Sequence, residues 1–305
     1  MVSGLEGDVG PVDHDGPFSG AVNVLGSWPL SVHQCHLWNY GHATRGTSEI
    51  RIRRRGTRMK IVVVGGTGRL GSQVVAELQR RGHKAVAAAP STGFDTITGA
   101  GVVEGLTGAQ VVVDVSNSPS FEDMAALQFF QTSTRTLLAA ERGAGIAHHV
   151  VLSIVGADRA PDSGYMRAKV AQEQLVAVGG VPYTIVRATQ FFEFLGAIAD
   201  SATTDGTVRL PSGHLQPIAA GDLAVAVADV VEGSPANAVV EVAGPEALGL
   251  DDLVRRVLSA RGDPRPVVTD DSVMYYGAHL DNATLIPAPD ARIASTRLDD
   301  WLNRR

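Results

Sequence analysis

The chain has 305 residues, a formal net charge of −6 and 44% hydrophobic residues. This length suffices for one large domain or two modest ones, each with a buried core. The negative charge argues against general nucleic-acid binding, and no stretch approaches the roughly 18 continuous apolar residues of a membrane span. The single cysteine, Cys35, excludes an internal disulfide and a cysteine metal cluster. Without a basic-then-apolar signal pattern at the start, we expect a cytoplasmic protein.

Residues 1–58 do not resemble the rest of the chain. They scatter Gly, Pro, His and Trp without helical or strand periodicity and end in a cluster of arginines. A segment without periodicity cannot assemble a core. We therefore expect a disordered extension outside the fold, which would include the case of upstream sequence translated from a start codon placed too early. A basic arm that contacts nucleic acid, or a targeting segment, is the alternative.

From Met59 onward, apolar runs and helical patterns alternate as a parallel sheet requires. The predicted strands are 60–64, 85–89, 111–115, 146–154, 182–187, 207–210 and 238–243. The predicted helices are 69–81, 102–107, 121–142, 163–178, 191–201, 221–232, 250–261 and 296–302. This order predicts an α/β protein with a Rossmann-type doubly wound parallel sheet in residues 59–190. Residues 191–305 are predicted to form a smaller C-terminal α+β part that binds substrate.

A glycine-rich turn joins the first predicted strand to the first helix. It comprises Gly65, Gly66, Thr67, Gly68, Arg69, Leu70 and Gly71. In a dinucleotide-binding unit, Gly65 would permit a tight turn, Gly68 would let backbone approach a pyrophosphate, and Gly71 would let the helix pack close to the strand. The phosphates would meet the free N–H groups at the N-terminus of the helix. The alternative is a tight turn with no ligand, as any α/β protein can contain.

Ser153, Tyr165 and Lys169 form a second candidate constellation. Tyr165 and Lys169 are four residues apart in a predicted helix, so their side chains share a face. A nearby ammonium lowers the pKa of a phenol, and Tyr165 could then pass a proton to or from an alcohol or carbonyl oxygen. Ser153 closes a strand at the edge where parallel sheets place ligands, and its hydroxyl could hold the same oxygen. We interpret the three as catalytic; a surface tyrosine and a solvated lysine are the alternative.

With these motifs, the chain from Met59 to about Leu302 resembles the short-chain dehydrogenase/reductase superfamily, specifically its atypical NmrA-like branch. The resemblance rests on Gly-Gly-Thr-Gly-Arg-Leu-Gly at 65–71, Val-Leu-Ser-Ile-Val-Gly at 151–156, Tyr-Met-Arg-Ala-Lys at 165–169 and Tyr-Thr-Ile-Val-Arg-Ala-Thr-Gln-Phe-Phe at 183–192. It implies that Lys169 also hydrogen-bonds the nicotinamide ribose. The residues that it places beside the cofactor are Ser116, Asn117, Ser118, Ala188, Thr189 and Gln190.

The chain departs from the family pattern after the second predicted strand. The span before Val111 is short, so we expect the usual third strand and its adenine-binding acid to be missing or cramped. The second strand ends in Ala-Pro-Ser-Thr at 89–92, without the acid that grips an NAD ribose. Arg69, helped by Ser91 and Thr92, could instead meet a 2′-phosphate, although a solvent-facing arginine is equally compatible. We therefore favour NADP(H) over NAD(H).

Other candidate residues are interpreted as structural. His148 and His149 are adjacent on a strand and so point to opposite faces, and no helpful ligand stands near them in sequence, so no metal site is predicted. Asp222 precedes an apolar helical run and is predicted to be its N-cap. Asp114 ends a strand and is expected to orient the following loop.

Three classes of function fit these features. The first is an NAD(P)-dependent oxidoreductase acting on a carbonyl, alcohol or activated double bond of a small molecule, without nucleic-acid or membrane partners. The second is a redox sensor that binds the dinucleotide without turnover, although such relatives normally lose the tyrosine or lysine. The third is a sugar-nucleotide epimerase, for which no nucleotide-sugar clamp is evident. Phe191, Phe192 and Phe194 are candidates for lining a substrate pocket or for core contacts.

Overall fold

A computed structural model describes residues 58–304; the extension expected for residues 1–58 therefore lies, except for Arg58, outside the described residues. The strands are β1 (Lys60–Val64), β2 (Lys84–Ala88), β3 (Val111–Asp114), β4 (His148–Ile154), β5 (Tyr183–Ala188), β6 (Thr203–Thr204), β7 (Thr207–Leu210), β8 (His214–Leu215), β9 (Val239–Ala243), β10 (Leu248–Gly249), β11 (Val267–Thr269) and β12 (Arg292–Ile293). The helices are α1 (Arg69–Arg80), α2 (Val102–Leu106), α3 (Asp123–Ala144), α4 (Gly164–Ala177), α5 (Leu195–Ser201), α6 (Ala220–Glu232), α7 (Leu250–Ala260) and α8 (Leu298–Leu302).

A seven-stranded sheet forms the centre of the fold, in the order β12-β9-β5-β4-β3-β1-β2. Every neighbouring pair is parallel. β1 and β3 are buried along nearly their whole length, because helices cover both faces of a parallel sheet. The strand order reverses between β1 and β3, which is where open α/β sheets bind ligands. The predicted doubly wound Rossmann-type fold is confirmed.

The sheet ends at β2. The connection from β2 to β3 holds a 3₁₀ turn at Pro90–Thr92 and the short helix α2, and no strand of the sheet. The expected loss of the usual third strand is therefore observed. Pro90 and the following turn residues stop β2, and fewer than twenty-five residues remain before β3.

The C-terminal residues contribute to this sheet as well as to a second layer. β9 pairs with β5, and β12 pairs with β9, so residues beyond 191 extend the sheet on one side. α6 packs against α1 on one sheet face. A separate apolar cluster joins α5, α7, β7 and Trp301. The predicted boundary between two domains at residue 190 stays a prediction.

Among the described helices, none is long and apolar enough to cross a membrane.

Two local expectations differ from the structure. The helix predicted at 191–201 begins as a helix only at Leu195, because the backbone around Phe192 pairs with Ile218 before a 3₁₀ turn. Asp222 is not an N-cap: α6 begins after Ala219, and the Asp222 carboxylate accepts a hydrogen bond from the Thr296 N–H. Its place in the first turn of α6 still suits the helix dipole.

His148 and His149 have separate partners on the two faces of β4. His148 Nε2 lies 2.9 Å from the Thr184 hydroxyl, and His149 Nδ1 lies 2.8 Å from a carboxylate oxygen of Glu141. Burial lowers the pKa of His148 to about 4. Burial also acts to lower the pKa of His149, but the Glu141 carboxylate outweighs it and raises that pKa. Within residues 58–304, no group of three or more His, Cys, Asp or Glu could hold a metal.

Candidate active site

A cavity of about 640 Å³ lies at the carboxyl ends of β1, β3, β4 and β5. The structure brings most of the predicted site residues into its lining: Gly65, Thr67, Gly68, Arg69, Leu70, Gly71, Ser116, Asn117, Ser153, Tyr165, Lys169, Ala188 and Thr189. Gly66 and Ser91 are not among the lining residues. Parallel strands end at one edge of a sheet, which is why residues distant in sequence meet here.

The glycine turn has the geometry that close approach of a ligand requires. Gly65 has φ of +76°, a left-handed conformation that favours glycine, and its carbonyl accepts from the Gly68 N–H at 3.0 Å. A Cβ on Gly71 would collide with the Gly65 carbonyl oxygen, so helix α1 and the turn can touch only at a glycine. A Cβ on Gly68 would meet only the Gly65 oxygen, at 3.1 Å, and is otherwise surrounded by open space. Gly66 instead packs against β1 and β2.

Four buried polar atoms of the cavity lining have no hydrogen-bond partner within the described structure. They are Ser116 Oγ, Ser153 Oγ, Thr189 Oγ1 and Gln190 Oε1. A buried polar group without a partner costs on the order of 1–3 kcal/mol, so such groups in native proteins usually have a ligand or water to bind. Together with the open space at Gly68, these atoms fit a polar, phosphate-bearing ligand such as a dinucleotide.

Tyr165 is held by a polar contact and an aromatic one. Its hydroxyl donates to Asn117 Oδ1 at 2.7 Å, and its ring centroid lies 5.2 Å from that of Phe121. Burial raises the pKa of Tyr165 to about 12. The expectation that Lys169 lowers this pKa is therefore wrong, because the Lys169 ammonium donates elsewhere.

Lys169 belongs to a buried polar chain behind the cavity. Its ammonium donates to the Leu152 carbonyl at 2.8 Å and to Gln172 Oε1. The Gln172 amide donates in turn to Asp114 Oδ2 at 3.2 Å, and Asp114 Oδ1 accepts from the Ser116 N–H at 2.9 Å. Asp114 thus orients its loop as expected. Sequence reasoning missed Gln172, although its i+3 spacing from Lys169 places both on one helix face.

This chain of contacts predicts a pH dependence of stability. Burial lowers the pKa of Lys169 from 10.5 to about 8, so between these values the unfolded chain binds more protons. The free energy of unfolding should therefore rise with pH between about 8 and 10.5, by at most about 3 kcal/mol, and this gain should be lost again as pH falls through 8. Denaturant unfolding at pH 7.5 and 9.5 should show this rise in the parent protein but not in Lys169→Met.

Lys84 provides the matched control, because it is an exposed lysine on β2. Lys84→Met should keep the rise in stability between the two pH values. An equal rise in Lys169→Met and the parent would show that Lys169 titrates like an exposed lysine.

The turn after β2 brings an acid to the cavity that sequence reasoning did not find. Asp95 is in the lining, and its Oδ1 accepts from the Ile97 N–H at 2.8 Å. Backbone hydrogen bonds lower its pKa. The end of β2 itself carries no acid, as the sequence predicts, but Asp95, seven residues after Ala88, lies in the cavity lining. Thr92 instead bonds to the backbone of Ala89.

Another part of the cavity is lined by apolar and aromatic side chains. Phe191 and Phe194 are in this lining, whereas Phe192 is buried against Trp301, with ring centroids 5.5 Å apart. Phe191 and Phe194 therefore line the pocket, whereas Phe192 makes a core contact. The Arg69 guanidinium lies 6.0 Å from the Phe194 ring and is exposed.

Comparison with known proteins finds similarity to a reductase and to an assembly factor. The chain is 31% identical over 222 residues to a chloroplastic divinyl chlorophyllide a 8-vinyl-reductase of Zea mays, a match covering 61% of this chain and 55% of that protein. It is 27% identical over 215 residues to the photosystem II assembly factor Ycf39 of Synechocystis, covering 65% and 66%. These similarities are consistent with the resemblance to atypical short-chain dehydrogenases/reductases inferred from the sequence motifs. The chain spans about half the length of the chlorophyllide reductases that it matches.

Solved structures agree on the fold of the chain. An NADPH-dependent quinone oxidoreductase of Escherichia coli, solved with NADPH, superposes with a TM-score of 0.60 at 21% identity. The match covers 80% of this chain and 99% of that one. No family model matches the chain.

Proposed function

We propose that the chain is an NAD(P)-dependent oxidoreductase of the NmrA-like branch, acting on a small organic carbonyl, alcohol or activated double bond. The observation that carries the proposal is that two candidate hydroxyl groups and the glycine turn lie in one cavity. The Tyr165 hydroxyl and the unpartnered Ser153 Oγ line the same space as the glycine turn. A hydride-transfer site needs this combination of phosphate-binding backbone and oxygen-binding hydroxyls.

The reduced dinucleotide, when bound, supplies the hydride. The N–H groups at the start of α1 bind its phosphates, and Thr189 and Ser116 offer hydroxyls to its polar groups. Ser153 and Tyr165 bind and orient the substrate oxygen. Because burial keeps the pKa of Tyr165 near 12, its hydroxyl holds a proton at neutral pH and can donate it to that oxygen during reduction. Lys169 also lines the cavity, and the family resemblance implies that it would contact the nicotinamide ribose.

NADP(H) is the cofactor that we favour over NAD(H). Arg69 is exposed at the first position of α1 and lines the cavity beside the Phe194 ring, where its guanidinium would be available to a 2′-phosphate. The E. coli oxidoreductase of the same fold binds NADPH. We also propose that the protein is located in the cytoplasm.

The cofactor preference predicts the behaviour of Arg69→Ala. NADPH binding should weaken by roughly 1.5–3 kcal/mol, as for a lost charged hydrogen bond, whereas NADH binding should hardly change. Titrations followed by nicotinamide fluorescence measure both affinities. Equal losses for the two cofactors would mean that Arg69 serves the turn rather than the phosphate.

The same titration tests the proposed function. Binding of NADPH or NADH by the parent protein, followed by turnover of carbonyl or activated-alkene substrates, is the expected result. A redox sensor is the second candidate, and the similarity to a protein named as an assembly factor rather than as an enzyme favours a role without turnover. Cofactor binding without turnover in a broad substrate screen would make the sensor the better assignment.

A further inference from the structure

Four rings form a continuous aromatic wall at the mouth of the cavity. We use this name for Phe121, Tyr165, Tyr275 and Tyr276, all of which line the cavity. The centroid of Phe121 lies 5.2 Å from that of Tyr165 and 5.9 Å from that of Tyr276, and the rings of Tyr275 and Tyr276 are 4.8 Å apart. The wall therefore begins at the hydroxyl that we propose as proton donor and runs outward to solvent.

Tyr276 reaches this position at a conformational cost. Tyr275 and Ala278 exchange two backbone hydrogen bonds, of 2.8 and 3.0 Å, around a two-residue turn. Both turn residues have positive φ, +46° at Tyr276 and +82° at Gly277. Such turns prefer Asn, Asp or Gly at the first position, and a bulky residue there is strained. Strain of this kind is typical of positions where a side chain has a function.

The charged residues of the cavity lining argue against an anionic ligand at the aromatic wall. The charged residues of the lining are Arg69, Asp95 and Lys169. Arg69 lies at the glycine turn, Asp95 follows β2, and the Lys169 ammonium is bound to the Leu152 carbonyl and the Gln172 amide. A carboxylate or phosphate stacked against the wall would therefore lose part of its hydration without gaining a cation.

We infer that the substrate is a neutral, flat, conjugated ring carbonyl that stacks against the aromatic wall, with Phe121 and Tyr276 setting specificity. This inference rests on the proposed oxidoreductase function. Flat conjugated rings stack favourably on tilted aromatic side chains, and aliphatic carbonyls do not. For a quinone, one hydride with its two electrons comes from the reduced nicotinamide, which is oxidised. Tyr165 delivers the single proton that completes the hydroquinone, and Tyr165 then regains a proton from solvent.

The test uses the full-length chain and two probes that share a ring system. 2-Methyl-1,4-naphthoquinone is neutral, and 1,2-naphthoquinone-4-sulfonate carries an anionic group. Calorimetric titration without reductant should show binding of the neutral quinone and much weaker binding of the sulfonate. Tyr276→Asn should weaken binding of the neutral quinone about 3- to 10-fold, the scale of losing an aromatic contact. Its melting temperature should be equal to or above that of the parent, because asparagine suits positive φ.

Two further variants complete the design. Tyr276→Phe keeps the ring and should bind the neutral quinone within about twofold of the parent, whereas Phe121→Leu should resemble Tyr276→Asn. Met274→Ala is the control, since Met274 is 54% exposed close in sequence to Tyr276 but is not in the lining. Unchanged quinone binding in Tyr276→Asn and Phe121→Leu, or equal binding of the sulfonate, would overturn the inference.

Failure of the proposed function would look different. Quinone binding that depends on Tyr276, without any NADPH-dependent turnover, would remove the oxidoreductase proposal and leave the ring-binding wall. Turnover of aliphatic carbonyls such as 2,3-butanedione, with no binding of either quinone, would leave the oxidoreductase and remove the wall.

Discussion

Tyr165→Phe is expected to lower turnover of a carbonyl substrate by about 100-fold or more, the usual scale for losing a general acid. The substitution removes only the hydroxyl, which donates to Asn117 Oδ1 at 2.7 Å. The ring stays in contact with Phe121 and Phe130, so the pocket should keep its shape. Dinucleotide affinity should remain within a few-fold. Steady-state kinetics and a fluorescence titration of the same preparation measure the two quantities.

Tyr183→Phe is the matched control. Tyr183 begins β5, at the opposite end of the strand from the cavity, and is not in the lining. Its loss of a hydroxyl should leave turnover unchanged. If Tyr165→Phe also keeps parental turnover, the catalytic assignment of Tyr165 is wrong. Lys169→Ala should weaken both turnover and cofactor binding, because Lys169 is expected to contact the ribose.

The first half of the fold could be predicted because its signals are local. The apolar run of β1, the glycine turn and the helical spacing in α1 are contiguous, and each is decided by neighbours in sequence. The missing third strand also followed from a local count of residues between β2 and β3. Tyr165 and Lys169 were brought to the cavity as expected, because their shared helix face follows from spacing alone.

The rest of the site depends on contacts between distant residues. The turn at Tyr276 lies in a loop more than a hundred residues after Tyr165. Its sequence, Tyr-Gly, lacks the Asn or Asp that usually signals positive φ at the first position of such a turn. Gln172 matters only because β3 brings Asp114 within 3.2 Å of its amide. The raised pKa of Tyr165 likewise follows from burial, which the spacing to Lys169 could not reveal. Two-residue strands such as β8 and β10 carry no periodicity at all.

Gly68→Val is expected to abolish dinucleotide binding while the protein still folds. Gly68 has φ of −76° and ψ of 175°, an extended backbone that valine adopts readily. The added Cβ would meet only the Gly65 oxygen, at 3.1 Å, so the two methyl groups extend into the open space where the pyrophosphate would approach the turn. Gly68→Ala, with one carbon fewer, should weaken binding less.

The comparison needs a glycine where the same change is harmless. Gly143 lies on α3, is exposed, and has nothing within 4 Å of an added Cβ. Gly143→Val should bind NADPH like the parent, and its melting temperature gives the cost of valine in a helix. A folded Gly68→Val protein that binds NADPH with parental affinity would show that the phosphates do not lie at this turn. Loss of binding in Gly68→Val, graded through Gly68→Ala and absent in Gly143→Val, would place them there, because only the volume at one backbone position has changed.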